Sequence, residues 1–298
     1  MASKNIKSVN LLLIIFCVSC QTMSMPDAAG VLRDDAAHVP LDTGASIYLL
    51  ADAKEARSII ELLPIQELKD RNARQMLDRT DFVAAAVFPA NSGRRFQLTA
   101  WGRYPASNAG AALNSNKSWE KLTSVAGYTY WYSGQNSLSL ALNRRQAFAV
   151  STLNKKPAEP LAASPGMEIP QGFNEFRKKA PVSFWFDNPA PALIKILSEA
   201  GIPVRFPVQK LFFNLYQAGE KDKFEAIIRL QFENASQARG IAAILNLAGG
   251  FVSNDPGMAV TALFLANPPV VSNNNIDIKT AVLDKAALQA LLNYFINI

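Results

Sequence analysis

Three short stretches carry residue types capable of chemistry. At the N-terminus, Lys4 and Lys7 precede the apolar run 11–18, and Ser19 and Cys20 follow. A basic patch, a short apolar run and a small residue directly before a cysteine is the layout of a lipoprotein signal. Cleavage before Cys20 would leave its thiol as the acylation site. The apolar run is too short to span a bilayer, which needs roughly 20 residues. The second stretch is Leu41-Asp42-Thr43-Gly44-Ala45-Ser46. Asp-Thr-Gly sets a carboxylate in a tight turn, as in aspartic proteases, but those enzymes need two carboxylates sharing one proton. No second Asp-Thr-Gly or Asp-Ser-Gly occurs, so Asp42 reads as part of an ordinary turn leading into a strand. The third is His38, the one histidine of the chain, read as a solvated linker residue.

The rest of the composition narrows the classes further. With Cys17 and Cys20 as its two cysteines, the chain has neither a Cys/His metal site nor a disulfide framework to build. There is no Walker loop, no G-x-G-x-x-G after a strand, no G-x-S-x-G and no H-E-x-x-H. We expect no metal, no cofactor and no enzymatic activity. The 298 residues are 49% hydrophobic and 18% charged, enough apolar surface for one or two domains. Mean hydropathy is +0.06. Beyond the first twenty residues, however, no uncharged apolar run is long enough to cross a membrane. The formal net charge is +6, and two of those charges leave with Lys4 and Lys7 if the signal is removed. That balance is too mild to indicate a nucleic-acid partner.

The elements that must position any site follow from hydrophobic periodicity. After a signal over 1–19, residues 20–44 are rich in Ala, Asp and Pro and read as a tether. A first module over 45–153 opens with strand 46–51, then a helix begun by a capping box at Asp52 and Glu55, with Ala56, Ile59, Ile60 and Leu63 on one face. A polar helix 66–79, a hairpin of 82–88 and 95–104, a small-residue helix from Ser107, and strands at 128–132, 137–142 and 148–152 complete it. Residues 154–180, which hold Pro157, Pro160, Pro165, Pro170 and the triplet Arg177-Lys178-Lys179, read as a linker. A second module over 181–298 repeats the order: strand 182–186, helix 191–200, strands 210–217 and 224–232, helix 236–247, strand 258–265. The repeat is closest where Phe96-Gln97-Leu98 and Ala106-Ser107-Asn108-Ala109-Gly110 parallel Phe224-Glu225-Ala226 and Ala235-Ser236-Gln237-Ala238-Arg239-Gly240. The expected fold is α+β. It is an α/β/α arrangement of two duplicated β-α-β-β-α-β modules about a pseudo-twofold axis, with a central, mostly antiparallel sheet and amphipathic helices outside.

Two helical stretches are unlike those of an ordinary soluble protein. Residues 286–298 carry no charge, and Gln289, Asn293 and Asn297 form one narrow polar stripe at i, i+4 and i+8. Residues 240–252 are likewise uncharged, with Asn246 their one polar side chain. Each gives about 20 Å of helix, too short to cross a bilayer but suited to lying in its interface. The candidate membrane-inserting residues are Ile241, Ile244, Leu245, Leu247 and Phe251 in one stretch and Leu288, Leu291, Leu292, Phe295 and Ile296 in the other. The alternative is that both are core helices covered by the sheet and by each other.

The cysteine motif has a relaxed form, with Cys17 where Leu is usual three residues before Cys20, and in this it resembles spirochaete lipoboxes. Taken with the duplicated α/β body and the weakly charged helices, the chain resembles a family of treponemal outer-membrane lipoproteins. The resemblance implies an α/β/α fold with closed and open forms, a location on the periplasmic leaflet, and amphipathic helices that insert into the bilayer. The leading expectation is therefore a lipid-anchored, monomeric, non-enzymatic protein whose partners are membrane lipids. A carrier of lipid or another hydrophobic ligand, and a protein-docking scaffold, are the alternatives. With His38 in the tether, any acid trigger would fall to carboxylates such as Glu199 or Asp284.

Overall fold

The computed structural model describes residues 38–62, 74, 77–89, 94–125, 127–142, 146–152, 167–177, 180–187, 189, 207–220, 222–252, 262–263 and 265–289. Cys20, most of the polar helix 66–79, the hairpin turn 91–93 and helix 191–200 lie outside them. The chain divides into two compact units: 1–57 with 65–178, and 58–64 with 179–298.

In the first unit, strands β2 (Ile47–Asp52), β3 (Thr80–Val87), β4 (Arg94–Gly102), β5 (Glu120–Thr123), β6 (Thr129–Ser133), β7 (Leu138–Leu142) and β8 (Gln146–Thr152) line up in the order β2-β3-β4-β8-β7-β6-β5. Every pairing is antiparallel. The alternation of β3 is what a half-buried strand requires: Thr80, Phe82, Ala84 and Ala86 face inward between less buried neighbours. Asp52 Oδ1 accepts the N–H groups of Lys54 and Glu55, each at 3.0 Å, and closes a turn over 53–56; helix α1 (Arg57–Ile60) begins after that turn, four residues later than the capping box predicts. Helix α2 (Ala106–Ser115) buries Ala109, Gly110 and Leu113. A Cβ on Gly110 would stand 3.2 Å from the Trp131 ring, whose Nε1 donates to Asn114 Oδ1 at 2.9 Å. The small residues of this helix are thus a seat for a tryptophan.

Two positions in this unit yield predictions. A Cβ at Gly102 would fall on the carbonyl oxygen of Arg79, at the irregularity where β3 and β4 shift register between Thr80 and Phe82. Backbone on both sides leaves no room to yield, so Gly102→Ala should lower unfolding free energy by about 3 kcal/mol. A urea melt of the two proteins measures it. Tyr104 is buried, with its hydroxyl 3.0 Å from Thr80 Oγ1. Burial, with a smaller push from the Asp81 charge, raises its ionisation well above the ordinary 10.0. A tyrosine that ionises less readily folded than unfolded contributes full stability below pH 10.0 and loses it as pH climbs toward the folded value. Tyr104→Phe should cost about 1 kcal/mol at neutral pH through the lost hydrogen bond. It should also flatten the fall in melting temperature expected of the wild type above pH 10.0.

The stretches read as tether and linker meet. β1 (His38–Val39) pairs antiparallel with β9 (Met167–Glu168), and helix α3 (Phe173–Arg177) follows. Val39, Leu41, Ala45, Met167, Ile169 and Phe173 are buried. Order therefore begins by His38 rather than near Ser46. Alternation and length are weak signals in two-residue strands, and the prolines that suggested a linker flank a packed segment.

In the second unit, β10 (Val182–Phe186), β11 (Lys210–Gln217), β12 (Phe224–Gln231), β13 (Val270–Ser272) and β14 (Asn275–Lys279) run in the order β13-β14-β12-β11-β10, again antiparallel. β10 is buried along its whole length and β11 along most of it, so both strands have covered faces. Trp185, Phe212, Phe213, Phe224 and Phe232 fill this core, and Phe184 stacks on Phe213 with ring centroids 4.3 Å apart. β12 alternates, and its outer face carries a two-pronged Arg229–Asp277 pair to β14, both contacts at 2.7 Å. Helix α4 (Ala235–Val252) follows β12.

The mixed α+β class and the antiparallel pairing are as expected, but the full six-element order is not repeated among the described residues. The first half runs β2-α1-β3-β4-α2 and the second β10-β11-β12-α4, with the helix expected over 191–200 outside the described residues. The first then continues into the strands β5–β8, the second into the β13–β14 hairpin. Of the strand expected over 258–265, residues 262, 263 and 265 are helical and the others lie outside the described residues. An apolar run of that length fits a buried helix as well as a strand.

Candidate functional site

The candidate site is the apolar surface offered by α4 and the segment that begins at Asp284. α4 forms because Asn234 caps it: Asn234 Oδ1 accepts the N–H of Gln237 at 3.0 Å, and its carbonyl accepts that of Ala238 at 3.3 Å. Arg239 is the one charged residue of the helix. Ala238, Ile241, Ala242 and Leu245 are buried at i, i+3, i+4 and i+7, the stripe that faces a sheet. The helix packs on β13 and β14. Near its end, a Cβ on Gly249 would lie 3.2 Å from the Leu265 carbonyl oxygen, so the glycine permits a close approach to that residue.

The sequence-predicted membrane residues separate by environment. Ile241 and Leu245 belong to the buried stripe, Ile244 is half-buried, and Leu247 stands 68% exposed. Phe251 lies within α4, and its side chain is outside the described set. The second segment starts as expected. Asp284 Oδ1 accepts the N–H of Ala287 at 2.8 Å, and Lys285 Nζ bridges Asp222 Oδ1 at 2.9 Å. Leu288 is 0% exposed. Leu291, Leu292, Phe295 and Ile296 lie outside the described residues. Just before the segment, Leu283 exchanges two backbone hydrogen bonds with Phe224, at 2.7 and 2.9 Å, and clips it to the edge of β12.

The site thus contains apolar side chains in two states: a buried set and an exposed one. Leu247 of α4 and Val270 and Val271 of β13, on which α4 packs, are large exposed apolar residues, and none of them carries chemistry beyond its contact with an apolar phase. Among the described residues no group of His, Cys, Asp and Glu could hold a metal ion, and no helix is long and apolar enough to cross a membrane. The Asp-Thr-Gly turn is tied down through its backbone. Asp42 N–H donates to Gln97 Oε1 at 2.7 Å, Tyr48 donates its hydroxyl proton to the Asp42 carbonyl at 3.2 Å, and Ala45 N–H donates to the same Tyr48 hydroxyl at 3.0 Å. Gly44 supplies the left-handed φ of +89° that the turn requires. The motif straps the chain to the sheet.

Sequence reasoning missed the exposed turn between β5 and β6, where Val125 and Tyr128 face solvent. Its signal was available as a long uncharged stretch among aromatic residues.

The architecture and the sequence both point to one set of relatives. The family model described as outer membrane-associated lipoprotein TP0453 matches residues 39–248. Solved structures of TP0453, a treponemal lipoprotein, share the fold. Crystal form IV aligns at a TM-score of 0.59 and 17% identity over 89% of this chain and 99% of that one. Crystal form I aligns at 0.58 and 15% over 86% and 96%, and crystal form III at 0.55 and 17% over 85% and 96%. Comparison with curated protein sequences finds no match. The family match spans well over half of the 298 residues, and the chain belongs to the outer membrane-associated lipoprotein TP0453 family.

Proposed function

We propose that this outer-membrane-associated family member is held by acyl chains on Cys20 at the periplasmic leaflet. There it acts without catalysis, inserting α4 and the segment from Asp284 into the bilayer and loosening lipid packing. The observation that carries the reading is the composition of α4. A helix with one charge places Leu247 in solvent while half of its buried stripe is alanine. Alanine buries little, so separating α4 from the sheet forfeits chiefly Ile241 and Leu245, at about 1.5–3 kcal/mol each. In the interface the same two side chains are buried again, and Ile244 and Leu247 are buried with them. The cost that remains is the face uncovered on β13 and β14, against which burial of Phe251 in lipid would count. The acyl anchor keeps a membrane within reach, so the open form has a destination.

Dye release from vesicles tests this with the mature chain carrying Cys20→Ser. Leu247→Asp should leave the melting temperature unchanged, because the site is exposed, while lowering dye release several-fold, because a carboxylate in the apolar layer is costly. Release equal to wild type would remove α4 from the account.

A further inference from the structure

A second exposed apolar point lies in the first unit, far along the chain from α4. From Leu122 to Asn143 the sequence has no charged residue and includes Tyr128, Tyr130, Trp131 and Tyr132. This stretch forms β6, β7 and the turn joining β5 to β6. Val125 at the tip is fully exposed, and Tyr128 is 37% exposed. What sets this tip apart from the other exposed valines is the construction of its turn.

Three N–H groups of the turn are paired inside it. Ser124 N–H donates to the Tyr128 carbonyl at 2.8 Å, Gly127 N–H to the Ser124 carbonyl at 2.9 Å, and Tyr128 N–H to Ser124 Oγ at 3.2 Å. Gly127 holds φ at +83°, which fixes the turn's shape. Each N–H paired inside the turn lowers the cost of bringing it to an apolar medium. Behind the tip, Tyr130, Trp131 and Tyr132 are buried in the sheet, so the projecting residues sit on a rigid root. Lys121, exposed and opposite Trp131, is four residues before Val125. At 3.3 Å per residue it lies roughly 13 Å behind the tip, level with lipid headgroups when Val125 reaches the acyl boundary. Tyrosine, apolar in body and polar at its end, is the residue type that settles at that depth.

We propose that the β5–β6 turn is a membrane-docking tip, with Val125 entering the acyl boundary of a lipid surface, Tyr128 in the interface and Lys121 among anionic headgroups. The proposal rests on the reading that the chain is held at a membrane, but it uses different residues and requires no opening. Docking there would fix the face that the first unit turns to the bilayer.

The mature chain with Cys20→Ser contains no other cysteine, so a single cysteine can be placed at will. Val125→Cys and, separately, Leu247→Cys are labelled with an environment-sensitive fluorophore and mixed with vesicles of phosphatidylcholine and phosphatidylglycerol. The label at 125 should shift to the blue and be quenched by spin-labelled lipid. Val125→Asp with Tyr128→Ala should weaken vesicle binding roughly tenfold with no change in melting temperature. A label at 247 that enters lipid while the one at 125 stays in water overturns the docking tip and leaves α4 insertion standing. The reverse pattern supports the tip and removes α4 insertion. If neither label responds, both are overturned.

Discussion

Leu288→Asp should unfold the second unit's C-terminal end rather than merely change how the protein meets lipid. The side chain is 0% exposed, in the first turn of a segment capped by Asp284 and clipped to Phe224 through Leu283. A carboxylate there must either ionise without solvent or take up a proton well above its ordinary range. Together with the lost leucine packing, the cost should exceed about 4 kcal/mol, a large share of the stability of an ordinary domain. Leu288→Ala should cost about 2–4 kcal/mol through the cavity alone. Urea melts with a fluorescence readout of the second unit's tryptophan, Trp185, measure both. Equal stability of Leu288→Asp and wild type would mean that this side chain is not packed in solution. This result matters for the functional reading, because a charge at Leu288 tests folding, whereas a charge at Leu247 tests lipid contact.

The contrast between those two leucines shows what the sequence discloses and what it withholds. The uncharged stretches 240–252 and 286–298 are plain in the sequence, and so is their helical period. Which leucine faces the body depends on tertiary neighbours: Leu245 is buried and Leu247 exposed although they are two residues apart on equally apolar helix. The strands with clear alternation, β3 and β12, fall where periodicity predicts them, whereas Asp52 caps a turn over 53–56 and α1 begins only at Arg57. Short elements were illegible. Two-residue β1 and β9 leave no period to detect, and their pairing joins residues 38–39 to 167–168 across most of the first unit. β13 and β14 turn on Asn273 and Asn274, with Asn273 at φ +54°, a hairpin signal that was present but lay beyond the strand expected at 258–265.

The Asp-Thr-Gly motif gives the same lesson from the chemical side. Its residue types suggest an active-site carboxylate. Its surroundings in the fold are Gln97 and Tyr48, which hold the backbone of the turn rather than arrange its side chain against a second acid. Three residues define a turn well and a reaction poorly.

The central claim, that α4 must leave the sheet to act on lipid, can be tested by preventing it from leaving. A Cβ at Gly249 would stand 3.5 Å from the Leu265 Cβ, within the span that a disulfide requires. It would also stand 3.2 Å from the Leu265 carbonyl oxygen, so the reduced double variant with wild-type melting temperature and dye release is the reference for the oxidised one. Gly249→Cys with Leu265→Cys, in the mature chain with Cys20→Ser, would form one reversible staple between the end of α4 and residue 265. The account predicts that the oxidised protein releases little vesicle dye and that reduction restores release to the level of the unlinked chain. Full release by the oxidised protein, with the disulfide verified by mass spectrometry, would contradict it.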